Sequence, residues 1–450
     1  MNAWPELRRS RSVRAGRAPG TVLRCGLMDT MLADLSVSVV LFFDRPLDDE
    51  RLAAGLARAL DRVPVFAGRL RTTADGALEA VCDDAGVPFA VHAVDGTLAG
   101  AMGRVTAAGA ELVDPVDAPA ARTGGGPLFT VRVTRTADGG TVLGCSWHHA
   151  VGDLQSFMLL MRAWSAAVEG ERLPEAELVA DQDALLDEVL PAEDCGRPGF
   201  RLPDPAEAAF LAREVAAGPR ANRTVQIYFG DAEIERMRAD FGAAAGRRLS
   251  AGDVLCAHVV CTIRELDGDR AERVLTVPVN ARRWLGLSPA HVGNLLSDLH
   301  LAHSAEDGPA ALAAALRAAV ADFPAEHLNL RANLRFLAAV GRERLGDCVP
   351  VGFDPAARRF SFSNWSRFGA YDVRFQGERP VYFSPAANYP LPWVCWTVEG
   401  FRGTGLLATV VLPARLAARL RGTEGRAALH RFRDPADELP PPAAAVPRVI

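Results

Sequence analysis

The 450-residue sequence contains no lysine, so all fifty Lys+Arg positions are arginine. That absence removes Schiff-base chemistry and the lysine of a phosphate-cradling loop. No G-x-S-x-G elbow occurs, which leaves a serine-hydrolase triad without its signature and makes Ser156 read as a surface or capping hydroxyl. The eight cysteines form no CxxC pair, and in a chain of this length they read as reduced thiols in a cytoplasmic protein. Neither His148 and His149 nor His300 and His303 have companions at metal-ligand spacing, so no metal is expected. Long apolar runs are also missing. The stretch from Leu32 to Phe43 is too short to cross a bilayer and alternates like a strand. The opening "RRSRSVRAGR" lacks the apolar core of a secretory signal and is expected to be a disordered or strand-leading start. With a net charge of -5 and no basic run, neither nucleic acid nor a membrane is expected as a partner.

What is present is a 49% hydrophobic composition, enough for two domains or one large α/β body. "DDERLAAGLARALDRVP" places Leu52, Leu56, Leu60 and Val63 at helical spacing, with Asp48 and Asp49 as capping candidates and Pro64 as the stop. Residues 124–150 read as a hairpin turned by "ADGG". From Asp153 the apolar period changes from two to 3.6 through Leu154, Phe157, Met158, Met161 and Trp164. "CSWHHAVGDL", Cys145 to Leu154, therefore straddles a strand-to-helix junction. Period-two alternation sends His148 and His149 to opposite faces. Taken alone, the His-x-x-x-Asp spacing is equally that of two core histidines followed by an aspartate N-cap.

The aperiodic, Pro-rich stretch from Glu188 to Glu207 is the candidate crossover. Beyond it, "LSAGDVLCAHVVCTIREL" is a helix with Ser250 and Asp253 in capping-box spacing, "RVLTVPVNA" a buried strand and "PAALAAALRAAVADF" a further helix. "RFSFSNW", "YDVRFQG", "RPVYFSP" and "GLLATVVLP" read as strands, and the Pro/Ala-rich end as a loose tail.

The order of these segments resembles the BAHD acyltransferases, within the chloramphenicol-acetyltransferase and condensation-domain superfamily, over most of the chain. "CGLMD" (Cys25 to Asp29) opens the likeness and "VFAGRL" is similar to P-L-A-G-R-L. His149 and Asp153 fall on H-x-x-x-D. "VNARRWLGLSPAHVGN" is similar to V-D-x-R-x-R…G-N, with Arg282 on the first arginine and Gly293 and Asn294 on G-N. "SNWSRFGAYDVRFQGERP" looks like S-W…D-F-G-W-G-K-P, with Trp365 on the tryptophan. There are departures. Leu154 stands where a glycine usually follows the aspartate. Arg374, Gln376, Gly377 and Glu378 replace D, G, W and G, and only Phe375, Arg379 and Pro380 survive.

The resemblance implies an α/β (α+β) fold of two chloramphenicol-acetyltransferase-like subdomains, with mixed sheets, flanking helices and an active-site tunnel at their interface. The expected divisions are 1–187, a crossover linker at 188–220, 221–435 and a loose tail at 436–450. It implies His149 as general base, Asp153 paired with Arg282 as structural support, and Trp365 and Ser363 polarising the acyl carbonyl. Asn294, Arg374 and Arg379 are expected on the donor side or its supporting loop. The implied activity is O- or N-acyl transfer from acyl-CoA, a co-substrate with no permanently bound cofactor, to a small metabolite by a cytoplasmic monomer. A carrier-protein-bound donor, or a binding or rearrangement protein on the same fold, is the alternative. His149→Ala should lower turnover by about 100-fold or more and His148→Ala by less, read as thiol release from acyl-CoA. Equal turnover in wild type and His149→Ala would remove the assignment.

Overall fold

Alternating apolar positions in two long stretches of the chain build two six-stranded mixed sheets, each backed by helices. The computed structural model describes residues 6–17, 19–386, 389–440 and 449–450. The first sheet runs in the order Glu6–Val13, Val87–Val94, Phe129–Thr136, Thr141–His148, Ser36–Phe43, Tyr382–Pro385. The second runs Asn222–Phe229, Leu406–Pro413, Val394–Glu399, Phe360–Asn364, Arg273–Asn280, Leu296–His303. The hairpin forms as its alternation dictates, with Val131 opposite Cys145. The arginine-rich start is a strand, its Arg9 and Arg11 reaching Asp49 and Glu50 of the helix Asp49–Arg62. That helix is capped by Asp48, which accepts from the backbone N–H groups of Glu50 and Arg51. The helix Ala251–Asp267 carries the expected Ser250/Asp253 capping box.

Four expectations change. The segment 371–377 is not a strand, because Gln376 and Gly377 both take positive φ, 61° and 84°. The chain therefore doubles back between Phe375 and Glu378, whose backbone groups exchange hydrogen bonds. The crossover is half helical, since Asp204 caps a helix at Pro205–Ala221. The tail at 441–448 lies outside the described residues, but Val449 and Ile450 pair with the open edge of Asn222–Phe229. Finally, Tyr382–Pro385 from the second half completes the first sheet, with Tyr382 opposite Phe42, so the sheets do not divide cleanly at the crossover.

Two apolar cores result. The strand residues Val225, Ile227, Leu275, Phe360, Phe362, Cys395, Ala408 and Val410 turn toward the helices of the second half. Period two sends the alternate residues to the opposite face. There Tyr228, Val398 and Leu407 join the core of the first half, and Gln226 donates to Ser384 and accepts from Tyr382. This face of the second sheet is polar along much of its length, with Thr276, Asp298, His300, Ser361, Ser363 and Thr409 on it.

Burial pushes His148, His258, His291, His300 and His303 down to about 4. The unfolded chain takes protons on these groups near the ordinary imidazole value of about 6.5. Between those values the unfolded state binds more protons, so stability present above about 6.5 is lost as pH falls. Asp29 and Asp298, pushed up to about 7 and about 6, and Asp183, raised by burial, act in the opposite sense, but they are three against five. The thermal midpoint should therefore fall on acidification from pH ~6.5 to ~4. A midpoint that rises over that window contradicts the five neutral imidazoles.

Candidate active site

The strand Thr141–His148 delivers two histidines into different surroundings. His148 is fully buried, its Nδ1 accepting from the Ala150 N–H at 3.2 Å and its Nε2 lying 3.3 Å from the Ala118 carbonyl. It is a satisfied core histidine. His149 begins a single 3-10 turn and remains partly exposed. Its Nδ1 lies 3.1 Å from Asn294 Oδ1. The Asn294 amide nitrogen donates to Asp29 Oδ1 and to the His149 carbonyl, each at 2.8 Å. With the nitrogen committed to two acceptors, the oxygen must face the ring, so Nδ1 carries the proton and Nε2 holds a free lone pair. Burial pushes the imidazole below its usual value, against the opposing pull of its own carbonyl, Asp153 and Asn294. The ring is neutral at pH 7 and basic at Nε2.

Asn294, expected on the donor side, is buried and bound to the protein through both its polar atoms. Its partner Asp29, in the "CGLMD" stretch, had no assigned role. Asp29 also accepts from the Gly26 N–H at 2.8 Å, and burial raises its carboxyl to about 7. A Ser/Asp-type capping pattern around Gly26 is absent from the sequence, and the contact to Asn294 spans 265 positions, so no local signal marks it.

Asp153 turns away from His149. It caps the helix Leu154–Glu169 through Ser156 N and forms a bidentate pair with Arg282, at 2.6 and 3.0 Å, with both side chains buried. The cap and the ion pair coexist because Oδ1 accepts from both Ser156 N and Arg282 Nη2, while Oδ2 takes Arg282 Nη1. Arg282 also donates to the carbonyls of His291 and Gly293. Ser156 is not a surface hydroxyl. It is fully buried, 3.1 Å from Asp153 Oδ1, and accepts from the Gly293 N–H at 3.0 Å. Glycine is required at 152, where a Cβ would stand 2.5 Å from Ser156 Cβ, and at 293, whose φ is +146°.

Trp365 and Ser363 adjoin each other on the second sheet, but not as parallel donors. The Trp365 indole N–H donates to Ser363 Oγ at 2.9 Å, which leaves the serine proton as the group able to donate onward. Arg374 and Arg379 flank the turn at Gln376 and Gly377. Arg374 is paired with Glu171. Arg379 donates to the Tyr371 carbonyl at 2.8 Å on the wall of a cavity of about 590 Å³ that Asp44, Asp372, Glu378 and Glu399 also line. Among the described residues no group of three or more potential ligands is arranged to hold a metal, and no helix is long and apolar enough to cross a membrane.

Two sheet-and-helix halves meeting at a His-x-x-x-Asp junction define the chloramphenicol-acetyltransferase-like, two-domain acyltransferase fold. The crystal structure of F. graminearum TRI101 complexed with ethyl coenzyme A superposes with a TM-score of 0.74 at 15% identity, covering 90% of this chain and 98% of that one. That of vinorine synthase gives 0.69 at 18%, covering 92% and 96%. The profile of the Transferase family matches residues 15–391, and the chain belongs to that family, the BAHD acyltransferases. Agmatine coumaroyltransferase-1 of Hordeum vulgare is 26% identical over 404 residues, 87% of this chain and 90% of its own. Vinorine synthase of Rauvolfia serpentina is 25% identical over 377 residues, 79% and 80% of the two chains.

Breaking the Asp153–Arg282 pair leaves an uncompensated buried charge, which typically costs about 3–5 kcal/mol. Asp153→Ala should be insoluble or unfold at much lower denaturant. Asn294→Ala should keep KM while lowering kcat by about 10-fold or more, since the ring loses the partner that fixes its tautomer. A kcat equal to wild type in Asn294→Ala overturns that role.

Proposed function

We propose that the protein moves an acyl group from an acyl-CoA thioester to a hydroxyl or amine of a small acceptor, with His149 as the general base. The observation that carries this reading is the forced orientation of Asn294, which leaves the neutral His149 ring with its lone pair on the free nitrogen. Membership of the BAHD family and the coenzyme A complex of TRI101 support a CoA donor. One relative is an agmatine coumaroyltransferase of Hordeum vulgare, so an amine is retained beside the hydroxyl as the acceptor class.

In this reading Nε2 takes the acceptor proton as its oxygen or nitrogen attacks the thioester carbon. The carbonyl oxygen becomes an oxyanion, toward which the Ser363 hydroxyl donates while Trp365 holds the serine in place. Collapse breaks the carbon–sulfur bond, and the departing CoA thiolate receives the proton from the imidazolium. Asp153 and Arg282 take no part in these transfers and fix the turn that aims the ring. Arg374 and Arg379, each engaged by the C-terminal loop and its neighbours, brace that loop.

Thiol release across a panel of acyl-CoAs with hydroxylated and amino acceptors tests this directly. Acceptor-dependent release is expected, with the acidic limb of kcat/KM lying below the usual imidazole value of about 6.5, because the folded ring resists protonation. Transfer from a loaded carrier protein but not from CoA would replace the donor. No transfer from either would favour a binding or rearrangement role.

A further inference from the structure

Asp29 is a buried carboxylate that meets no cation. It is 3% exposed and sits in the short helix Leu27–Met31. Among the described residues no ion pair reaches it, and the charges that bear on it are the carboxylates of Asp183 and Asp153. Three other buried carboxylates are paired: Asp153 with Arg282, Asp253 with Arg317, and Glu233 with His430 and Arg433. Taking a carboxylate out of water without a cation is costly, so hydrogen bonds must carry the compensation.

Those bonds divide between two tasks. Oδ2 accepts from the Gly26 N–H at 2.8 Å and caps its own helix. Oδ1 accepts from Asn294 Nδ2, also at 2.8 Å. A cap needs only the first of these, and the cap at Asp48 works with its carboxylate exposed to water. The second bond reaches the side chain that faces the general base. The helix is held in place for it, since the Leu27 N–H donates to both oxygens of Asp183 at 3.1 Å and Leu27–Met31 packs against the turn His149–Val151.

The Asn294 amide has two ways round, with opposite consequences. With Oδ1 toward His149 Nδ1, the ring carries its proton there and Nε2 is the base. With the nitrogen toward the ring, Nδ1 becomes the acceptor, the proton moves to Nε2, and the free lone pair is lost. Two acceptors oppose that reversal, the His149 carbonyl and Asp29. The ionised carboxylate is the stronger of them, because its hydrogen bond is charge-assisted.

We propose that Asp29 is a positioning residue of the transfer reaction: through Asn294 its carboxylate keeps the proton on His149 Nδ1 and the lone pair on Nε2. This rests on the acyltransferase reading and adds to it a residue that acts without touching the imidazole.

The test is a double-mutant cycle on thiol release at pH ~8, above the value of about 7 for Asp29. In Asp29→Asn the side chain can accept from Gly26 or from Asn294 but not from both, since its second polar atom is a donor. Asp29→Ala removes both acceptors. Each variant should lower kcat about 10-fold with KM nearly unchanged, the low end of what losing an outer partner of a working histidine costs. In the Asn294→Ala background neither should cost anything further, because the residue through which Asp29 acts is gone. A role confined to capping would lower activity equally in both backgrounds. The second readout is the nitrogen NMR spectrum of the His149 ring, assigned by its loss in His149→Ala. Wild type should carry the proton on Nδ1, and the Asp29 variants should move it wholly or partly to Nε2. Unchanged kcat, equal losses in the two backgrounds, a raised KM in place of a lowered kcat, a ring that keeps its Nδ1 proton in both variants, or failure of both variants to fold each overturn the proposal. Acyl transfer by wild type together with any of these results leaves the acyltransferase reading intact and removes this one. If no acceptor gives thiol release, that reading fails, and the ring spectrum alone decides: a proton moved to Nε2 in the Asp29 variants supports the positioning role, and an unmoved one overturns it.

Discussion

The buried pair of Asp153 and Arg282 is the contact on which the rest of the site depends. Two charges taken out of water gain little over an apolar replacement, so the pair is better understood by what it positions than by its contribution to stability. Asp153 closes the first turn of Leu154–Glu169 and thereby sets the end of the histidine strand. Arg282 gathers the carbonyls of His291 and Gly293, which sets the backbone immediately before Asn294. Asn294 in turn decides which nitrogen of His149 is free. A planar guanidinium serves this purpose because its fork meets a carboxylate and two carbonyls in one geometry.

The halves also meet at a second seam. Gln226 bonds Ser384 and Tyr382, far across the sheet from Arg282. Between the two seams the second sheet presents hydroxyls and Trp396. Such a face would be costly in a closed core, and it suits a substrate that arrives with its own polar groups.

Much of this was legible in the sequence, and for stated reasons. The change of period at Asp153, the capping box at Ser250 and the hairpin around "ADGG" are local signals, and they gave elements where expected. The likeness of "VNARRWLGLSPAHVGN" to a family segment pointed to Arg282 as the partner of Asp153. What could not be read depends on pairing across the chain. Asn294 looked like a donor-side residue because its neighbours in space, His149 and Asp29, are remote in sequence. Ser363 and Trp365 were expected to act side by side, but only their geometry shows that one holds the other. The strand expected at "YDVRFQG" failed because two consecutive left-handed residues outweigh apolar alternation.

The strand Tyr382–Pro385 has a consequence for how the molecule comes into being. The first sheet cannot gain its outer strand until residues 382–385 have left the ribosome, and until then the edge Ser36–Phe43, with its run of Val, Leu and Phe, stands open. Open apolar edges recruit other strands, and closing a loop of more than three hundred residues is slow compared with local pairing. The first sheet is therefore completed only by a strand from the second half. The stage most exposed to misassembly is the interval in which the amino-terminal sheet waits for its last strand.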